Sequence, residues 1–100
     1  MDQLTEILLK ELEGYTGEAY NGYAYLTSNP EHTRFVVTAV GNVHGQRIIN
    51  TSLIVQRLGD AIVIDQDTNS DPLYEALMQA GIPREQIILA YAGEPVPETA

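Results

Sequence analysis

The sequence predicts a single α+β domain in which a mainly antiparallel sheet carries an N-terminal helix and a second helix just before the last strand. Three observations predict it. Apolar residues recur at helical spacing near the start of the chain, from Leu4 to Leu12. Strand-like alternation, broken by tight-turn sequences, then runs from Gly22 to Asp65. At Asp71-Pro72 the apolar period becomes helical again. A chain of 100 residues makes one domain, and at that size it holds one core with little burial to spare.

The first helix should run from Asp2 to Tyr15. Leu4, Ile7, Leu8 and Leu12 form its apolar stripe, Glu6, Lys10 and Glu13 lie off it, and Gly14 and Gly17 end it. Tyr23 and Tyr25 alternate with Gly22, Ala24 and Leu26, a strand pattern that closes at the turn Thr27-Ser28-Asn29-Pro30. Arg34 to Val40 reads as a strand with Phe35, Val37 and Ala39 on one face and Val36, Thr38 and Val40 on the other. Gly41-Asn42-Val43-His44-Gly45 reads as the next turn. The long strand Arg47 to Arg57 has mixed parity: Ile49, Leu53 and Val55 share one face, Ile48 and Ile54 the other. A bulge or burial on both sides would account for the mixture. Gly59-Asp60 marks a hairpin from which Ala61 to Asp65 pairs back.

The second helix should open with Asp71 as N-cap and Pro72 in the first helical position. Leu73, Ala76, Leu77 and Ala80 supply its buried stripe, and Gly81 stops it. Pro83 to Gln86 can wind one short turn, and Ile87 to Tyr91 is the final strand. The domain is expected to span 1–93, with 94–100 a flexible Pro-rich tail.

Fourteen acids against five bases give a net charge of −9. A protein that grips DNA on its own neutralises phosphates with Lys and Arg. Here Lys10, Arg34, Arg47, Arg57 and Arg84 are scattered along the chain, so direct nucleic-acid binding by the isolated protein is not expected. An acidic surface suits a basic protein partner, and it also simply keeps a small protein soluble. There is no cysteine, the N-terminus opens with acids rather than a basic signal-peptide segment, and no apolar run nears the length of a membrane span. A cytoplasmic protein without membrane attachment is the expectation.

The sequence offers little for catalysis. Asp65-Gln66-Asp67-Thr68-Asn69-Ser70-Asp71 places oxygen ligands at every second residue, as a calcium loop does. However, Ser70 stands where such a loop needs Gly, and Ala76 where it needs a bidentate Glu. The same acids read better as the end of a strand followed by a helix cap. His32 and His44 both fall in turns, and neither comes with a nucleophile or a metal-ligand pattern. Gly41 to Gly45 lacks the GK[ST] of a phosphate loop. No catalytic residue, metal or cofactor is assigned. Tyr20, Tyr23 and Tyr25 are candidates for an interface, since tyrosine combines contact area with a polar tip; a half-buried strand face fits Tyr23 and Tyr25 equally well.

Ala61-Ile62-Val63-Ile64-Asp65-Gln66-Asp67 leads into Leu73-Tyr74-Glu75-Ala76-Leu77. Ala80-Gly81-Ile82-Pro83-Arg84-Glu85-Gln86-Ile87-Ile88-Leu89-Ala90-Tyr91 follows. This stretch resembles the XisI-like family, named for controlling factors of fdxN element excision in cyanobacteria. The shared pattern is a helix ending in Gly-Ile/Val-Pro, a basic-acidic pair, then Ile-Val/Ile-Leu with a small residue and an aromatic. Ile7 and Leu8 in the first helix, Phe35 in its strand and His44-Gly45-Gln46-Arg47-Ile48 extend the likeness over nearly the whole chain. Asn42 stands where many relatives carry Trp, and the Pro-rich end replaces a further aromatic segment.

The resemblance implies an accessory, non-enzymatic controlling factor for programmed DNA excision. It would act beside a XisH-like partner of nuclease fold and a separate recombinase. Tyr20, Tyr23, Tyr25, Asp65, Asp67, Arg84 and Glu85 are the candidate partner-interface residues. The competing readings are a small metal-dependent hydrolase using Asp65 and Asp67, and a direct DNA-binding directionality factor. Apolar residues on both faces of the central strands, with Ile48 to Ile54 as the exposed face, lead to the expectation of a homo-oligomer.

Overall fold

The computed structural model describes residues 2–97. The elements follow in the order α1 (Gln3–Glu13), β1 (Gly17–Ala19), β2 (Gly22–Ser28), β3 (Arg34–Val43), β4 (Gln46–Leu58), β5 (Ala61–Asp67), α2 (Leu73–Gln79) and β6 (Ile87–Leu89). One-turn 3₁₀ segments lie at Arg84–Gln86 and Ala90–Ala92. The six strands form one sheet in sequence order. Every pairing is antiparallel except β5 with β6, which are parallel because α2 carries the chain across between them. The α+β class and the placement of both helices follow the sequence expectation.

Both helices cover one face of the sheet. Leu8 and Leu12 of α1 and Leu73 and Leu77 of α2 pack with Phe35, Val37, Leu53, Val55, Ile62, Ile64, Ile87 and Leu89 in one cluster. The strand residues in that cluster are cross-strand partners of one another: Phe35 with Val55, Val55 with Ile64, Ile64 with Leu89. Paired residues share a face, so the helix-covered side carries this cluster; Val40 and Val63, on the other side, are buried as well. Arg57 lies on that side too, opposite Ile62. It reaches α1, where its guanidinium donates to Asp2 at 2.7 Å and to the Thr5 hydroxyl at 2.6 Å. Asp2 also caps α1, accepting from the Thr5 N–H at 2.9 Å. The ion pair and these hydrogen bonds hold the Asp2 carboxyl well below the usual carboxylate range.

Two bulges resolve the mixed parity of β4. The β3–β4 register shifts between Val37 and Thr38, leaving Ser52 as the extra residue on β4. The β4–β5 register shifts between Ile54 and Val55, leaving Asp65 as the extra residue on β5. Ser52 is buried, and its hydroxyl donates to the Val37 carbonyl at 3.4 Å. A bulge exchanges faces along one strand. Ile48 therefore pairs with Gly41 on the helix side, whereas Ile49 pairs with Val40 and Ile54 with Val36 on the open side. The exposed face expected to run from Ile48 to Ile54 is instead that of Ile49 and Ile54.

Other local readings shift as well. Gly41-Asn42-Val43 is strand rather than turn, and only His44 and Gly45 reverse the chain, at φ of 52° and 78°. Two successive positive φ values are the type I′ hairpin pattern. The next hairpin, at Gly59-Asp60, has a positive φ at Gly59 alone, as a type II′ turn does. Residues 17–19, of which the sequence singles out only Gly17, as a helix stop, form the short edge strand β1. Its return places Gly22 so close to β3 that a Cβ there would fall 2.0 Å from the Val40 carbonyl oxygen; only glycine fits.

The second helix begins later than expected. Pro72 is its N-cap residue and caps nothing with its side chain. Asp67 does that work from the end of β5, accepting from the Leu73 N–H at 2.8 Å. Asp71, the expected cap, instead offers its backbone carbonyl to the Tyr15 hydroxyl at 2.6 Å. Ala80 is exposed rather than buried, because the helix ends before it. The last strand stops at Leu89. Glu94, placed in the tail by sequence, folds back onto β6, accepting from the Leu89 N–H at 2.8 Å and from Arg84 at 2.6 Å. Residues 98–100 of the expected tail lie outside the described residues.

Candidate protein-docking face

The open side of the sheet is built from rows of cross-strand partners. Tyr23, Val40 and Ile49 form one row across β2, β3 and β4; Tyr25, Thr38 and Thr51 form the next; Thr27, Val36 and Ile54 the third. Strand period 2 puts Tyr23 and Tyr25 on the same face, and their rings stack with centroids 6.2 Å apart. They are 46% and 45% exposed, and Ile49 is 62% exposed. Neither α1 nor α2 packs on this side, since both belong to the core cluster opposite; over β5 the same side is closed, with Val63 fully buried. An exposed aromatic and aliphatic surface of this kind is a candidate docking face.

The remaining candidate residues fall into different settings. Tyr20 sits in the turn between β1 and β2, fully exposed, and does not join the tyrosine stack. Asp65, the bulged residue, is exposed and accepts from the Gln56 side chain at 3.1 Å. Asp67 has both oxygens engaged: one takes the backbone and side-chain N–H groups of Asn69, the other caps α2. Its position in the fold explains it as a structural acceptor.

Arg84 is occupied three times, donating to the Ile87 carbonyl at 2.6 Å, pairing with Glu94 at 2.6 Å and lying over the Tyr74 ring at 5.7 Å. The Leu89 N–H and Arg84 together lower the Glu94 carboxyl from its ordinary value. Glu85 is exposed. The structure thus brings together Tyr23 and Tyr25, and sets the two aspartates and Arg84 in separate local networks. Val40 and Ile49 were not singled out in the sequence, although the mixed parity of Ile48 and Ile49 was a visible signal that this strand presents apolar residues to both sides.

Nothing in these surroundings assembles a reactive constellation among the described residues. No group of three or more His, Asp or Glu side chains could hold a metal ion. His32 and His44 both sit at positive φ in turns, far apart in the chain. The Tyr15 hydroxyl is raised to about 12, first by burial and then by the nearby Asp67 and Asp71 charges; it stays protonated at neutral pH and serves as a donor. Beyond the end of α1, on the helix side, Gly22, Ala24, Ala39 and Gly41 floor a groove of about 390 Å³. Glu18 is the one carboxylate in its lining, with no base opposite it.

This geometry defines a class first: a small α+β sheet backed by two helices on one side, with a stacked tyrosine pair exposed on the other. The chain belongs to the XisI family, whose XisI protein description matches residues 1–99. Solved structures carry the same fold. A XisI-like protein from Anabaena variabilis aligns with a TM-score of 0.65 at 20% identity, covering 86% of this chain and 78% of its own. A structure described as the fdxN element excision controlling factor XisI, also from Anabaena variabilis, aligns with a TM-score of 0.60 at 20% identity, covering 88% and 85%. A comparison with curated protein sequences finds no match. No helix of the described residues is long and apolar enough to cross a membrane.

Proposed function

We propose that this chain is an accessory controlling factor for the programmed excision of a DNA element, acting in the cytoplasm as a non-catalytic binding partner of a XisH-like protein of nuclease fold. Family membership over residues 1–99 supports the excision role, as does the fold shared with a protein described as an excision controlling factor. One observation supports the mechanism: Tyr23, Tyr25 and Ile49 stand exposed on one face, around the buried Val40, on a chain of net charge −9. Such a surface has the stacked aromatic anchors that dominate binding energy in protein interfaces. The negative charge steers it toward a basic partner and away from DNA. The factor would act by seating on the nuclease-fold protein and governing its access to DNA.

The test is co-expression with a XisH-like protein from the same genome, followed by affinity capture. Wild type should bring the partner down. The double variant Tyr23→Ser, Tyr25→Ser should weaken capture by about tenfold or more, as loss of anchors worth over about 1.4 kcal/mol does. Absence of any complex with the wild-type chain counts against the reading, as does retarded migration of duplex DNA by the isolated protein at low salt.

A further inference from the structure

The unusual part of this sheet is the distal half of β4. From Leu53 to Leu58 the strand is paired on both edges, with β3 and with β5. From Gln46 to Thr51 it is paired with β3 only. The Gln66 side chain reaches the Thr51 carbonyl, and among the described residues nothing hydrogen-bonds to the outer edge of Gln46 to Asn50. Every residue from Asn42 to Asn50 is exposed, Val43, Ile48 and Ile49 included. An open, apolar strand edge is a template for another strand.

We infer that the edge from Arg47 to Thr51 pairs with the same edge of a second copy, antiparallel about a two-fold axis at Ile49, joining two six-stranded sheets into one. Three features of the chain select a second copy as the occupant. The first is charge. From His32 to Gly59 there are three arginines, two histidines and no carboxylate, so all fourteen acids lie outside the β3–β4 hairpin. Two molecules of net charge −9 repel at long range, and the hairpin is where they can approach without opposing carboxylates.

The second is self-complementarity. A two-fold through an antiparallel pair places one residue opposite itself. With Ile49 on the axis, Ile48 faces Asn50 and Arg47 faces Thr51 of the other copy, and like charges are not directly opposed. The third is continuity. Tyr23, Val40 and Ile49 already form a row on the open face, and the axis extends it into Ile49, Val40 and Tyr23 of the second copy. The two docking faces would become one apolar strip.

The inference does not depend on the nuclease-fold partner, and its test is separate. The purified full chain is measured by light scattering, and the expected mass is twice the 11.0 kDa of one chain. Ile49→Lys should give a monomer that keeps its far-UV circular dichroism, because this side chain is 62% exposed and outside the core.

The absence of native cysteine allows a geometric check. Directly opposed residues of an antiparallel pair have Cα atoms about 4.5–5.5 Å apart, within disulfide range. Ile49→Cys should therefore oxidise rapidly to a covalent dimer, and Val43→Cys, one strand further from the axis, should not. A monomeric wild-type chain up to its solubility limit overturns the inference. So does a dimer that survives Ile49→Lys, or equal cross-linking at both cysteines.

Discussion

The two halves of β4 are made of similar residues and have opposite fates. Leu53 and Val55 lie sealed beneath both helices, with hydrogen-bonded strands on either side. Ile48 and Ile49 stand in water on the same strand, with one edge unpaired. Strand propensity does not separate them, since Ile, Leu and Val all fit a pleated surface. The difference comes from what packs on each half, and from Ser52, whose bulge turns the strand over between them. The near half is committed to the core; the far half stays exposed, with one edge unpaired.

The largest effect should come from breaking the sealed half. Leu53→Ala should cost about 2–5 kcal/mol in urea unfolding, as truncation of a fully buried Leu does, whereas Ile49→Ala, compared with wild type at a concentration low enough for both to be monomeric, should stay within about 0.5 kcal/mol. Equal costs at the two positions would erase the distinction between the halves.

A smaller effect sharpens where the near half is anchored. Asp67→Ala removes the acceptor that caps α2 and should cost about 1–2 kcal/mol. Asp71→Ala should cost far less, because Asp71 contributes its backbone carbonyl, which the substitution keeps.

The smallest effect concerns the clamp between α1 and β4. The Asp2 carboxyl is depressed in the folded state by Arg57. Its stabilisation is therefore present above the unfolded carboxylate value of about 3.9 and is lost as pH falls through the lower folded value. Asp2→Asn keeps a capping side chain but removes the charge. Urea unfolding between neutral pH and about pH 3 should show wild type losing more stability than the variant. Identical pH profiles would mean that the ion pair contributes nothing.

Much of this fold is legible along the chain. The stripe from Leu4 to Leu12 gives α1, the alternation around Phe35 gives β3, and Gly59-Asp60 gives a hairpin, because each signal is local and repeats over several residues. The misread elements are those whose partners lie far away in sequence. The strand Gly17–Ala19 is too short to show a period and exists because β2 offers it an edge. The cap of α2 comes from Asp67 rather than Asp71, because the path out of β5 brings its carboxylate back onto the Leu73 N–H. Arg57 gives no sign in sequence of its contacts with Asp2 and Thr5. Of the candidate interface, Tyr23 and Tyr25 are visible as an alternating pair; Val40 and Ile49 join them only through strand pairing.

By itself, the amino-acid order determined two helices, a run of hairpins, the acidic balance and the family likeness, since periodicity, turn chemistry and charge are written locally. Tertiary structure alone decided which side of the sheet the helices cover, where the two bulges exchange its faces, and that half of β4 ends with one edge unpaired. Those outcomes depend on β5 turning away toward α2 after Asp67 and on both helices settling on one side, and long-range packing of that kind leaves no period in the sequence.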